Sequence, residues 1–145
     1  MVTIESYSDV FAQLERSHCR YVIVSGVAVV LHGHVRPIAD LDLVIDLKDE
    51  NKVMQSLAAL GFVPSLPLPL SLLTVLRLFD QSQREIDVFA RYRVPFDELW
   101  VGSKIVSIGN IVSRVISLEH LLLVKSKHGR PHDLLDIEAL KGLHQ

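Results

Sequence analysis

The sequence has 145 residues, a formal net charge of −2 and 49% hydrophobic residues. This is enough apolar material for the core of one domain, so a disordered chain is excluded. The near-neutral charge excludes a basic nucleic-acid-binding surface over the whole chain, although a local basic patch is compatible with it. The single cysteine, Cys19, excludes an internal disulfide framework and a cysteine-rich zinc site. We expect residues 1–145 to form a single domain.

Targeting and membrane signals are lacking in the sequence. Residues 1–9 have neither the basic stretch nor the apolar stretch of a secretory signal. The longest apolar-rich run, at residues 63–73, contains three prolines and is too short to span a bilayer. We therefore expect a cytoplasmic protein that has no membrane partner.

Hydrophobic periodicity predicts five elements in the first half of the chain. The first is a helix at residues 8–17, for which Ser6 or Ser8 supplies the cap. The elements that follow are a strand at 21–24, a short helix at 27–31, a strand at 41–45 and a helix from 49 to 60. Gly61 stands just past the last helix, where a left-handed residue commonly ends one.

The second half is predicted to contain two hairpins and two helices. Three prolines make residues 64–70 an extended connection. The predicted hairpins comprise strands at 73–79 and 85–90, and strands at 104–108 and 111–116. Ser117 caps a helix that ends before Gly129, and Pro131 opens the last helix. This order predicts an α/β (α+β) domain in which one mixed sheet is covered by helices.

Three aspartates on predicted strands are candidate metal ligands. Asp40 and Asp42 are two positions apart, so on a strand their side chains share a face. Asp87 lies between apolar residues of another strand, where an uncompensated carboxylate costs several kcal/mol. A hard divalent cation, Mg²⁺ or Mn²⁺, would stabilise three converging carboxylates and also bind phosphate oxygens.

Ser25 and Gly26 form a candidate phosphate-binding turn between a strand and a helix. Free N–H groups at the start of a helix attract phosphate, and glycine allows the backbone to approach it closely. The Ser25 hydroxyl can donate a further hydrogen bond. A metal held by carboxylates beside such a turn is the apparatus of phosphoryl or nucleotidyl transfer.

These segments resemble the signature of the DNA polymerase beta-like nucleotidyltransferase superfamily. That signature is a Gly-Ser or Gly-Gly pair on a short helix, followed by hydrophobic-Asp-hydrophobic-Asp, and it corresponds here to residues 24–28 and 36–44. The closer resemblance is to a bacterial and archaeal group of minimal nucleotidyltransferase-like proteins, mostly of unknown substrate and related to toxin–antitoxin nucleotidyltransferases. Over residues 8–142, the chain supplies the motifs of that group in order: His32-Gly33, Arg36, Ile86-Asp87-Val88, Lys125, Gly129-Arg130, Asp133-Leu134 and Asp136-Ile137.

The resemblance implies a role for each residue of the candidate site. Asp40 and Asp42 would be metal ligands. Asp87 would be the third carboxylate and the base toward the attacking hydroxyl. Ser25 and Gly26 would hold the β- and γ-phosphates of a nucleoside triphosphate (NTP).

The resemblance also implies that the C-terminal helices fold back near the cleft, where Arg36 and Lys125 would contact the nucleotide. The chain departs from the group at two places. The glycine pair is Ser25-Gly26, and Ile38 replaces the threonine that precedes the aspartate pair. Both departures bear on phosphate binding, and neither removes a metal ligand.

Structural alternatives remain open for several of these residues. Asp87 could pair with Arg84 or Arg91 rather than bind a metal. Arg36 could pair with a site aspartate, and Lys125 or Arg130 could form a salt bridge with Asp133 or Asp136. A transition-metal site that combines His32 and His34 with Asp40 is disfavoured, because positions two apart on a helix do not share a face. Trp100 is either a core residue or a base-stacking residue.

The leading hypothesis is a metal-dependent nucleotidyltransferase that moves a nucleoside monophosphate from an NTP to a hydroxyl. The acceptor is a protein, an RNA or a small molecule, and the sequence does not distinguish among them. The alternative is a non-catalytic nucleotide-binding or antitoxin/regulatory module with the same fold. A third interpretation, an oligomerising structural domain, requires the aspartates to be scattered. A homo-oligomer and a cognate toxin or antitoxin partner both remain open.

Overall fold

Two short buried strands form the centre of the sheet. The computed structural model describes residues 2–144. In it, β1 (Val22–Val24) is buried along its whole length and pairs antiparallel with β2 (Leu41–Val44). Branched and aliphatic side chains in both strands favour a pleated surface that is covered on its two faces. Asp42 interrupts this apolar pattern on β2.

Five further strands extend the sheet on both sides. These are β3 (Val63–Pro64), β4 (Leu76–Phe79), β5 (Glu85–Phe89), β6 (Lys104–Ile108) and β7 (Ile111–Val115). Their order in the sheet is β3-β4-β5-β2-β1-β7-β6. The β2–β5 and β1–β7 pairs are parallel, and the other pairs are antiparallel. The sheet is therefore mixed, as the sequence predicts.

Within the described residues, 2–144, six α-helices accompany the sheet. They are α1 (Ser8–Arg16), α2 (Ser25–Leu31), α3 (Glu50–Ala58), α4 (Phe96–Gly102), α5 (Leu118–His128) and α6 (Pro131–Leu143). Short 3₁₀ turns occupy Ile4–Tyr7, Leu47–Asp49 and Leu70–Leu72. Gly129 ends α5 with a positive φ of 61°, and Pro131 starts α6, so the last two helices form a tight hairpin. Helix α5 contacts α2, which brings the C-terminal hairpin back toward the centre of the sheet.

The predicted fold class is confirmed, and most element positions agree with the sequence. Ser117 caps α5, as expected, by accepting a hydrogen bond from the His120 N–H. The predicted cap of α1 is wrong, because Tyr7 occupies that position and Ser8 donates instead to the Glu5 carbonyl. Within residues 2–144, none of the helices combines the length and the apolar character that a bilayer span requires.

Three other predictions differ from the structure. Helix α4 was not predicted, because it is only seven residues long and buries only Phe96 and Leu99. The strand predicted to begin at residue 73 begins at Leu76, since the 3₁₀ turn at Leu70–Leu72 precedes it. Helix α2 begins at Ser25, two residues earlier than predicted, which places the Ser-Gly pair inside its first turn.

Candidate active site

The carboxyl groups of three aspartates converge on two neighbouring strands, β2 and β5. Asp40 immediately precedes β2, Asp42 lies on β2, and Asp87 lies on β5. Asp42 and Asp87 are partners in the register of the parallel β2–β5 pair. One oxygen from each of the three carboxylates lies within 4.8 Å of the others. The interpretation that requires scattered aspartates is therefore wrong.

Burial and mutual repulsion oppose ionisation of the three carboxyl groups. Burial, followed by the charge of Asp40, raises the pKa of Asp42 to about 7. Burial, a hydrogen bond with Glu85 and the charges of Asp42 and Asp40 raise the pKa of Asp87 to about 8. The pKa of Asp40 is also raised, first by burial and then by Glu85. The cluster is electrostatically unsatisfied in the absence of a cation.

The carboxylate cluster has the donor set and the free oxygens that a hard cation requires. Oδ1 of Asp42 and Oδ1 of Asp87 are buried, and neither has a hydrogen-bond partner within residues 2–144. Buried polar atoms without partners are rare and call for an explanation. Closely spaced carboxylate oxygens are the ligands that Mg²⁺ and Mn²⁺ prefer. The residues present therefore fit such an ion.

Glu85 is a fourth carboxylate at this cluster, and the sequence analysis missed it. It lies two residues before Asp87 on β5, so the two side chains share a face of the sheet. Its influence on the pKa values of Asp40 and Asp87 places it beside both groups. The alternation of Glu85 and Asp87 in the sequence is the signal that could have identified it.

Ser25 and Gly26 lie beside the carboxylates at the start of α2. Ser25 has a φ of +59°, a left-handed conformation that costs a non-glycine residue roughly 1–2 kcal/mol. Its side chain lies next to Asp42 and Tyr92, and it partly offsets the rise in pKa of both groups. A Cβ atom added to Gly26 would lie 3.3 Å from Nη2 of Arg36. Gly26 therefore allows Arg36 to approach the backbone of the turn.

A cavity of about 280 Å³ separates the turn from the C-terminal helices. Ser25, Gly26, Arg36 and Lys125 line it together with Asp40 and Asp42. The structure therefore brings six of the seven candidate residues to one cavity. Asp87, the seventh, lines a second cavity that shares Ser25, Asp40 and Asp42 with the first.

Arg36 and Lys125 are tied to each other through α6. Nε and Nη2 of Arg36 lie 3.1 Å and 3.2 Å from the Asp136 carboxylate. The buried Lys125 ammonium lies 3.0 Å from Asp136 and 3.3 Å from Asp133. Burial opposes ionisation of Asp133, but hydrogen bonds from Arg130 and Lys125 outweigh it and lower its pKa to about 2. The network fixes two cations at the wall of the cavity.

Comparison with known proteins gives an independent view of the fold. No family model and no curated protein matches the chain. The lincosamide antibiotic adenylyltransferase LnuA, in its lincomycin-bound crystal structure, matches with a TM-score of 0.74 at 21% identity and covers 97% of both chains. An antigenic nucleotidyltransferase-like protein from Paracoccidioides brasiliensis has a TM-score of 0.63 and 19% identity, over 96% of this chain and 75% of that one. This chain has a nucleotidyltransferase fold.

A third solved structure supports the same assignment. ANT(2″)-Ia, in complex with adenylyl-2″-tobramycin, has a TM-score of 0.61 and 13% identity, over 97% of this chain and 98% of that one. The expected resemblance to minimal nucleotidyltransferase-like proteins is thus confirmed at the level of the fold. At these identities, the likeness does not extend to the substrate.

The ion pairs in the structure decide the alternatives that the sequence leaves open for Asp87, Arg36, Lys125 and Arg130. Asp87 pairs neither with Arg84 nor with Arg91, so that alternative is wrong. The cation nearest to it is Arg77, its cross-strand partner on β4, with Nε 3.5 Å from Oδ2. Arg84 instead binds Asp9 and Asp80, and Arg91 donates to the Ser71 carbonyl. The expected salt bridges of Lys125 and Arg130 are present, and Arg36 pairs with Asp136 rather than with a site aspartate.

The two histidines and the tryptophan lie outside the carboxylate cluster. Nε2 of His32 is buried 2.7 Å from the Ile116 carbonyl, and His34 lies nearest to Asp136, at 3.8 Å. The disfavoured site with Asp40 is therefore not formed. Trp100 stacks on Phe96 within the packed part of the protein.

Proposed function

We propose that the chain is a metal-dependent nucleotidyltransferase, which moves a nucleoside monophosphate from an NTP to an acceptor hydroxyl. The observation that carries this proposal is the convergence of Asp40, Asp42 and Asp87 beside the Ser25-Gly26 turn. The adenylyltransferase among the structural neighbours, and the adenylylated antibiotic bound to another, support this class of reaction. Mg²⁺ or Mn²⁺ is the proposed cofactor, and Asp40, Asp42 and Asp87 are its proposed ligands.

The cavity beside Gly26 is the proposed site for the donor triphosphate. The Ser25 hydroxyl and the backbone of Gly26 would bind phosphate oxygens. Arg36 and Lys125 supply positive charge at the same wall, and Asp136 holds both in place. Helix α2 has only seven residues, so we assign most of the electrostatic attraction to these two side chains.

The proposed transfer is a displacement at the α-phosphorus of the NTP. The acceptor oxygen forms a bond to that phosphorus, and the bond from it to the bridging oxygen of the β-phosphate breaks, so pyrophosphate leaves. The proton of the acceptor hydroxyl passes to the Asp87 carboxylate, which is therefore the proposed base. A divalent cation bound by the three aspartates would neutralise charge that develops on the phosphate oxygens.

The test combines binding and turnover. We expect the wild type to bind MgATP or another NTP in calorimetry and to release pyrophosphate in the presence of its acceptor. The double variant Asp40→Asn, Asp42→Asn should lose metal-dependent binding. Asp97→Asn removes an exposed carboxylate of α4 and is the matched control. Unchanged NTP and metal binding in the double variant would refute the proposal.

A non-catalytic nucleotide-binding module is the second candidate. The observation that favours it is Ser25, which replaces the first glycine of the resembled pair and has a strained, left-handed backbone conformation. Such a module would bind NTP and act as an antitoxin or regulatory partner, or assemble with a second copy of itself. Incubation with labelled NTPs and a cell extract separates the two candidates. A labelled product that requires Asp40 and Asp42 rejects the non-catalytic module.

A further inference from the structure

A second and larger cavity opens on the Asp87 side of the carboxylate cluster. Its volume is about 660 Å³. Arg77, Arg91 and Arg93 line this cavity but not the one beside Gly26, whereas Arg130 lines both. Four arginines thus line this cavity, together with the three aspartates of the carboxylate cluster.

Two of these arginines have no neutralising partner. Arg91 donates to the Ser71 carbonyl at 2.7 Å, which positions its guanidinium without cancelling its charge. Arg93 is exposed. Among residues 2–144, no carboxylate lies within ion-pair distance of either side chain. Arg77 faces Asp87, but its side chain remains 59% exposed.

The surroundings of His128 indicate how closely the cations are grouped. This residue also lines the cavity. Its pKa is lowered by burial and then by Arg130, with a further contribution from Arg93. Asp133 opposes this effect, but it is already engaged by Lys125 and Arg130. Like charges held together around a cavity repel one another unless an anion joins them.

We propose that the acceptor carries a phosphate group beside its reactive hydroxyl, and that Arg91 and Arg93 bind this phosphate. The proposal rests on the transferase function proposed above. A phosphate group offers two non-bridging oxygens and one negative charge as a diester, or three oxygens and a charge near −1.5 to −2 as a monoester, and both suit planar guanidinium forks. The proposed NTP site does not include these arginines: of the two cavities, Gly26, Arg36 and Lys125 line only the other, and Ser25 lines both.

Two kinds of acceptor share this chemistry, and the experiment distinguishes them. The first probe is a five-nucleotide RNA with a free 3′-hydroxyl, compared with the same strand carrying neutral methylphosphonate linkages. The second probe is ribose 5-phosphate, compared with ribose. Binding is measured in Mg²⁺ buffer on the wild type, on Arg91→Gln/Arg93→Gln and on Arg16→Gln/Lys141→Gln. The last variant removes two exposed positive charges elsewhere and is the charge-matched control.

We expect at least one charged probe to bind tenfold or more tightly than its neutral counterpart. Arg91→Gln/Arg93→Gln should weaken that binding at least tenfold and leave MgATP affinity within twofold, whereas the control changes neither. For the RNA, loss of this one phosphate contact should make the slope of log K against log salt less negative by about 0.7. Binding of the RNA alone identifies a nucleic-acid end, and binding of ribose 5-phosphate alone identifies a small phosphorylated acceptor.

The proposal is overturned if neither charged probe binds better than its neutral counterpart. It is also overturned if the double arginine variant binds both probes as the wild type does. Because probe binding is measured without turnover, it is independent of the transferase assay. If the wild type binds a charged probe but does not bind MgATP, the proposed function is refuted and the phosphate site stands.

Discussion

Asp42 of β2 lies directly opposite Asp87 of β5 in the register of the two parallel strands. In the absence of a cation, the pKa of Asp42 is about 7 and that of Asp87 about 8, chiefly because both are buried. In the unfolded chain, both carboxyl groups titrate near 3.9. From pH 5 to 8 the folded state therefore binds more protons, and the free energy of unfolding falls as pH rises. We expect the melting temperature in EDTA to fall over this range.

The control for this prediction is Asp87→Asn, which removes one titrating group and one repulsive charge. It should flatten the decline between pH 5 and 8. Mg²⁺ or Mn²⁺ should raise the melting temperature of the wild type more at pH 8 than at pH 5, because metal and protons compete for the same oxygens. A melting temperature that rises from pH 5 to 8 in EDTA would contradict the expected coupling.

The part of the site that follows from local spacing could be predicted from sequence. Asp40 and Asp42 share a face because side chains alternate along an extended chain, and Asp87 stood out as a charge inside an apolar strand. Glu85 did not stand out, because a glutamate near the start of a strand is equally compatible with solvent exposure. Its spacing from Asp87 predicts a shared face, but its position relative to Asp40 depends on the β2–β5 register, which local spacing does not encode.

The charge network behind the nucleotide cavity depends even more on tertiary structure. Arg36 and Asp136 are separated by 100 positions, and only the C-terminal hairpin brings them together. Along helix α6, the buried positions do not coincide with the apolar residues. Leu134 and Leu135 are exposed, while Asp133 and Asp136 face the interior because Lys125 provides their counter-charge.

Substitutions at Ser25 can separate backbone strain from the role of its hydroxyl. Ser25→Gly should raise the free energy of unfolding by about 1 kcal/mol, because glycine adopts a positive φ without a steric penalty. Ser25→Ala keeps the strain and removes the hydroxyl, so it should give no such gain. Both variants should bind MgATP more weakly if the hydroxyl contacts phosphate. Chemical denaturation and calorimetry measure the two effects, and a destabilised Ser25→Gly would contradict the assigned strain.

Gly26→Ala should change nucleotide binding without reducing stability. Alanine favours a helix over glycine by up to about 1 kcal/mol, so α2 should be as stable as before or more so. The new Cβ would stand 3.3 Å from Nη2 of Arg36, so the guanidinium has to shift by a few tenths of an ångström. Since a hydrogen bond to a charged group contributes about 1.5–3 kcal/mol and only part of it would be lost, we expect MgATP binding to weaken by up to about tenfold. In Gly142→Ala, the control in α6, the new Cβ meets no atom within 4 Å and binding should be unchanged.

Asp136 should couple protein stability to nucleotide binding, because its carboxylate holds both Arg36 and Lys125. Removal of one partner from a buried ion pair costs about 3–5 kcal/mol, so Asp136→Asn should lower the free energy of unfolding by about 3 kcal/mol. It should also weaken MgATP binding by releasing Arg36. Glu138→Gln, an exposed change on the same helix, should stay within about 0.5 kcal/mol of the wild type.

A double-mutant cycle identifies the source of the Asp136 effect. Lys125→Met removes the buried ammonium while keeping the length of the side chain. If the loss in Asp136→Asn arises from the unpaired Lys125, the double variant should be less destabilised than the sum of the two single variants. Additive losses in chemical denaturation would show that the two side chains act independently. In that case, Arg36 would be the group through which Asp136 acts on stability. MgATP binding should weaken in both single variants, because Lys125 is one of the two proposed triphosphate-binding cations.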